Sequence, residues 1–159
     1  MKNLFILVAF LLSTSTLFAQ NPDLLVGKWK ITAFNAGLQH DYKTSKTTLT
    51  KELEALQKSD KDSDKFALGF SMSMIEMFKD FEYAFGTNGQ YSEIIQGKEP
   101  KLGYYSFDES KKTLSLTAKN KMDVAITQQM NFEIKENTLL LTIPKGEQSI
   151  GFTFEKIAW

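Results

Sequence analysis

The chain of 159 residues contains no cysteine, no arginine and a single histidine. Without cysteine there are no disulfides, thiolate metal sites or thiol nucleophiles. Without arginine the planar fork that grips phosphates is missing, and 19 lysines are balanced by 19 acidic residues. No basic face is therefore available for nucleic acid or for an anionic membrane surface. The one histidine, His40, lies in a polar stretch beside Asp41 and Tyr42, where solvated surface is the ordinary reading and a general base the exceptional one. Serine and threonine are plentiful, but no Gly-x-Ser-x-Gly elbow or glycine-rich phosphate loop accompanies them. No catalytic residue can be named, and the expectation is a protein that is not an enzyme.

Two apparent metal motifs fail on geometry. Asp60-Lys61-Asp62-Ser63-Asp64 alternates carboxylates as a calcium loop does, but its sixth position is Lys65 and its twelfth Ser71, where Gly and Glu are needed. Met72, Met74 and Met77 have the spacing of a thioether copper site. On a helix, however, Met72 lies about 160° from Met74, so packing is the better reading. No metal or cofactor is expected.

What is abundant is aromatic: thirteen Phe, five Tyr and two Trp, in a length that suits one domain with a sizeable core. Residues 1–20 read as a signal peptide, with Lys2 at the start, an apolar run from Leu4 to Leu12, and cleavage expected after Ala19 or Gln20. That run is shorter than the ~20 residues a bilayer requires. The expectation is a secreted or periplasmic protein with no integral span in the mature chain, its folded domain covering residues 21–159; an uncleaved anchor is the alternative.

The mature chain opens on a strand over residues 27–34. Gly27 permits a close backbone approach, Trp29 and Ile31 share one face, and the indole N–H of Trp29 needs a partner when buried. After a polar stretch over 39–46, helical period appears. Leu49, Leu53 and Leu56 fall on one face of a first helix, and Phe66, Phe70, Met74, Met77, Phe78 and Phe81 form a stripe expected to be buried along a second. Leu68, Met72 and Ile75, on its other side, imply cover on two sides or an exposed apolar patch. From Phe81 the period is two. Asn88-Gly89 marks a hairpin with two possible registers. A two-residue loop sets Ser92 and Ile94 beside Phe85 and Tyr83. A three-residue loop with Gly89 in a bulge sets Tyr91, Glu93 and Ile95 there, and is preferred because it faces Tyr91 with Phe85. Strands follow over 102–107, 113–119, 124–134, 138–143 (ended by Pro144) and 150–154. The count is eight, joined mostly by tight turns: an all-β, antiparallel up-and-down barrel with two helices, about residues 48–80, inserted between strands 1 and 2.

Gly27-x-Trp29 on the first strand, Gly103-x-Tyr105, and the closing Phe152-Thr153-Phe154-Glu155-Lys156 resemble bacterial members of the lipocalin-like family across residues 24–157. The resemblance implies that Gly27 and Trp29 close the barrel floor. It also implies that a small apolar or amphipathic molecule is held in the interior. Lys156 stands where that family's tryptophan is covered by arginine. The inward positions proposed to line the ligand site are Tyr83, Phe85, Tyr91, Glu93, Tyr105, Gln128, Met130 and Phe152, a mostly apolar set with a few polar groups. The alternative is a non-enzymatic envelope interaction module with a filled barrel. The sequence names no protein partner.

Overall fold

The computed structural model describes residues 23–145 and 148–158, so the expected leader over residues 1–20 lies outside the described residues. In chain order the elements are β1 (Gly27–Asn35), β2 (Leu38–Asp41), β3 (Lys46–Leu49), α1 (Lys51–Gln57), α2 (Asp62–Phe78), β4 (Glu82–Phe85), β5 (Gln90–Ile94), β6 (Lys101–Asp108), β7 (Thr113–Lys119), β8 (Ala125–Lys135), β9 (Thr138–Lys145) and β10 (Gln148–Ile157). One antiparallel sheet runs β10-β9-β8-β7-β6-β5-β4-β1-β2-β3, and β10 pairs back onto β1. The eight strands β1 and β4 to β10 thus close a barrel, with β2 and β3 as an added hairpin. The helices sit between β3 and β4 and do not follow the first strand directly. The polar stretch 39–46 supplies most of that hairpin, which hydropathy does not flag because its strands are four residues each and mostly polar. Among the described residues no helix is long and apolar enough to cross a membrane.

β1 organises the closure. Along one edge it pairs with β10, Ile31 opposite Phe154 and Phe34 opposite Phe152, with a register slip that leaves Thr32 as the extra residue of a bulge. The bulge changes which residues point inward: Trp29 and Ile31 before it, Phe34 after it, all three buried. It also divides the second edge. Residues 27–30 pair with β4 and residues 33–35 with β2. At the division the Ile31 N–H donates to the Phe81 carbonyl and the Tyr42 N–H donates to the Thr32 carbonyl, both at 2.9 Å.

The N-terminal half of β1 carries the largest buried side chain of the core. Trp29 is fully buried, and its Nε1–H donates to the Leu25 carbonyl at 2.7 Å. The Lys156 Nζ lies 5.3 Å from the indole centroid. Gly27 has φ +137°, a backbone conformation that favours glycine, and the flexible end of Lys156 lies over it where a Cβ would stand. The hairpin of β4 and β5 adopts the three-residue loop: Phe85 faces Tyr91, Tyr83 faces Glu93, and Gly89 has φ +75°. β9 runs through Pro144, beyond the last β8 pair at Asn131 and Thr142, an edge position that tolerates a missing amide.

α2 docks through only the C-terminal part of the Phe/Met stripe, where Met74 and Phe78 are partly buried and Phe81 just beyond is buried, joined by residues from its other side. Ile75 is buried and Leu68 and Phe78 are partly buried, whereas Phe66 and Phe70 are 77% and 58% exposed and Met77 is exposed. The helix is apolar on nearly every side, so periodicity alone does not select a docking face. Its last carbonyls do. The Tyr42 hydroxyl donates to Ile75 O and the Gln96 amide to Glu76 O, both at 2.9 Å, and the Phe81 N–H donates to Phe78 O at 3.1 Å. This seats the Phe78 ring 5.1 Å from Phe34 and 5.0 Å from Phe152, over the end of the barrel opposite Trp29.

Trp29→Ala should cost about 3–5 kcal/mol in urea unfolding, because it opens a cavity at the floor and frees the Leu25 carbonyl. A loss below about 1 kcal/mol would show that the indole does not hold the floor.

Candidate functional site

The barrel interior is filled by its own side chains. Phe34, Phe78, Phe81, Phe152, Phe154, Tyr83, Phe85 and Tyr105 form a continuous chain of ring contacts, with centroids 4.7–6.4 Å apart. Leu114, Leu116, Met130, Phe132, Leu139 and Leu141 complete the core from the remaining strands, each nearly or fully buried. Of the residues proposed to line a ligand site, Tyr83, Phe85, Tyr91, Met130 and Phe152 are buried in this packing. Tyr105 is half-buried, and its hydroxyl donates to the Gly86 carbonyl at 2.8 Å.

Glu93 and Gln128 lie at the rim. Gln128 is exposed, contrary to its expected inward place: the first half of β8 projects past the end of its ladder with β9, which begins at Asn131, so nothing covers that half from β9. With Tyr91, Glu93, Lys101, Leu116 and Ile126 it borders a cavity of about 80 Å³. At ~30 Å³ per water this holds a few solvent molecules and no sizeable organic ligand. Gly103, opposite Tyr91, has no side chain to collide with the Tyr91 ring lying across β6; a Cβ would come 2.5 Å from its Cε1. Burial pushes the Glu93 carboxyl above its ordinary value, and Lys101, paired opposite, pulls it partly back. Burial also pushes Tyr91 up to about 12 and Tyr83 well above the usual phenol range, with the Glu93 charge adding to both.

A larger space lies outside the wall, in the fork where β1 leaves β4 for β2. This cleft, about 900 Å³, is roofed by α2 through Gly69, Met72, Ser73, Ile75 and Glu76. Its floor and sides are His40, Tyr42, Thr47 and Thr32, together with Lys30, Glu155 and Ile157 from the outer surface of β1 and β10. Lys30 pairs with Asp80 at 2.9 Å and Lys43 with Glu155 at 2.7 Å. The Asp80 contact holds the Lys30 ammonium above its usual value, and Lys30 holds Asp80 below its own. Burial, with the nearby Glu76 charge, pushes Tyr42 up to about 12.

His40 is where the sequence reading fails most usefully. Expected on solvated surface, it is only 8% exposed. The hairpin of β2 and β3 folds beneath α2 and carries His40 inward, with its ring edge-on to Tyr42 at 4.6 Å and Nδ1 2.8 Å from Thr47 Oγ1. The available signal was the alternation Leu38, His40, Tyr42, followed by Thr47 and Leu49 on a returning strand. Among the described residues no group of three or more His, Asp or Glu side chains could hold a metal ion.

Because the folded-state value of Glu93 is raised, its contribution is most favourable below the unfolded-state value and is lost as pH rises through the folded one. Glu93→Gln should therefore raise the melting temperature relative to the parent at about pH 7, with the gain disappearing by about pH 3.5. Equal effects at both pH values would contradict the burial of that carboxylate. Comparison with known proteins gives little further: no family model matches the sequence, and no curated protein matches it. Among solved structures the chain is similar to a DUF4847 family protein from Bacteroides vulgatus ATCC 8482, at 15% identity over 86% of this chain and 96% of that one, with a TM-score of 0.47.

Proposed function

We propose that the protein is a secreted or periplasmic, non-catalytic binder of a small amphipathic molecule, held in the cleft beneath α2 and not inside the barrel. The observation that carries this reading is the contrast between an interior occupied by aromatic rings and an outer cleft of about 900 Å³, within the size range of small-molecule sites. The cleft combines apolar surface from Met72, Ile75 and Ile157 with polar groups at its sides, the mixture that orients an amphipathic guest. The leader-like residues 1–20 support export. The lipocalin-like resemblance supports the barrel as scaffold, with the binding function moved to its outer face.

A second reading, an envelope interaction module, is favoured by the exposed stripe of Phe66, Phe70 and Met77 on the outer side of α2. Titration with N-phenyl-1-naphthylamine separates the two. Saturable fluorescence enhancement is expected, with affinity falling at least about 10-fold in Ser73→Trp, whose indole occupies the cleft, and unchanged in Phe66→Ser/Phe70→Ser. The reverse pattern would place the dye on the exposed stripe and favour the interaction module.

A further inference from the structure

Among the side chains buried at the cleft, His40 has a polar atom that no protein group engages. His40 is more than nine-tenths buried and lines the cleft, and its Nδ1 is engaged by Thr47 Oγ1. Its Nε2 has no hydrogen-bond partner among the described residues. Among the described residues no buried side-chain nitrogen or oxygen lacks a partner, so Nε2 is open to the solvent of the cleft, and a guest hydroxyl can take the place of that water without loss of its hydrogen bond. The contact with Thr47 forms with either neutral tautomer, so Nε2 is an acceptor in one and a donor in the other. A hydroxyl satisfies both, because it donates and accepts.

The charges around the cleft bear on the rest of the guest. Lys30, Lys43 and Lys79 are matched there by Glu76, Asp80 and Glu155, three against three, and two of the lysines already sit in ion pairs. An anionic guest must break such a pair or lie beside a carboxylate; a cationic guest meets the opposite problem. The side chains of Met72, Ile75 and Ile157 provide the apolar surface for its body. Resting on the cleft as the binding site, we infer that the ligand is an uncharged amphipath with a hydroxyl head hydrogen-bonded to His40 Nε2.

Three probes of one body test this: 2-naphthol, 2-methylnaphthalene and naphthalene-2-sulfonate. The purified protein should bind 2-naphthol more tightly than the sulfonate. The preference for 2-naphthol over 2-methylnaphthalene should shrink about 5- to 10-fold in His40→Phe and partly return in His40→Gln. Since His40 is the chain's one histidine, the imidazole ¹⁵N spectrum reads this site alone. Its Nε2 signal should move on adding 2-naphthol while Nδ1 stays nearly fixed, a readout that needs no variant to fold. Tighter binding of the sulfonate, an unmoved Nε2 signal, or a hydroxyl preference that survives His40→Phe would overturn the ligand class, provided Ser73→Trp still blocks binding. Binding that Ser73→Trp leaves intact, or no binding by any of the three, would overturn the cleft reading itself.

Discussion

β1 has two edges and three partners, and the bulge at Thr32 is what allows one strand to serve all of them. Before the bulge the strand belongs wholly to the barrel, with Trp29 and Ile31 inside and β4 alongside. After it the inward parity changes, Phe34 rejoins the core opposite Phe152, and the free edge takes β2. A regular strand would turn Phe34 outward or deny the hairpin its edge, since side chains alternate with a period of two. The division also creates the outer cleft, bounded by diverging strands and closed above by α2.

The position of α2 follows from the same fork. Its terminal carbonyls need donors, and two come from opposite sides: Tyr42, just beyond β2, and Gln96, beyond β5. Held this way, the helix turns Phe78 into the barrel end and Ile75 toward the wall, leaving Phe66 and Phe70 in solvent. The barrel is therefore closed by Trp29 at one end and by Phe78 at the other, with aromatic rings between them. Such an interior acts as a rigid support. The same physics that packs it, burial of large apolar rings in mutual contact, is why the proposed site is the cleft outside the wall.

Much of this fold was legible wherever period-two alternation runs uninterrupted. The strand over 113–119, the three-residue loop at Gly89 and the burial of Trp29 all follow from local pattern and steric need. Pattern fails where a choice depends on distant partners. The bulge at Thr32 is set by pairing with β10, and the docked face of α2 by Tyr42 and Gln96. The exposure of Gln128 depends on where β9 begins to pair with β8. His40 is the sharpest case. A lone histidine among polar neighbours reads as surface, and only the helix folded over its hairpin makes it interior.

The central claim is that a filled barrel leaves binding to the fork beside it. Backbone amide shifts of the ¹⁵N-labelled protein during titration with N-phenyl-1-naphthylamine test it most directly. The account predicts that the largest changes fall on the cleft, at His40, Tyr42, Thr47, Gly69 and Ser73. Changes concentrated at Tyr83, Phe85, Leu116 and Met130, in the barrel interior, would contradict it.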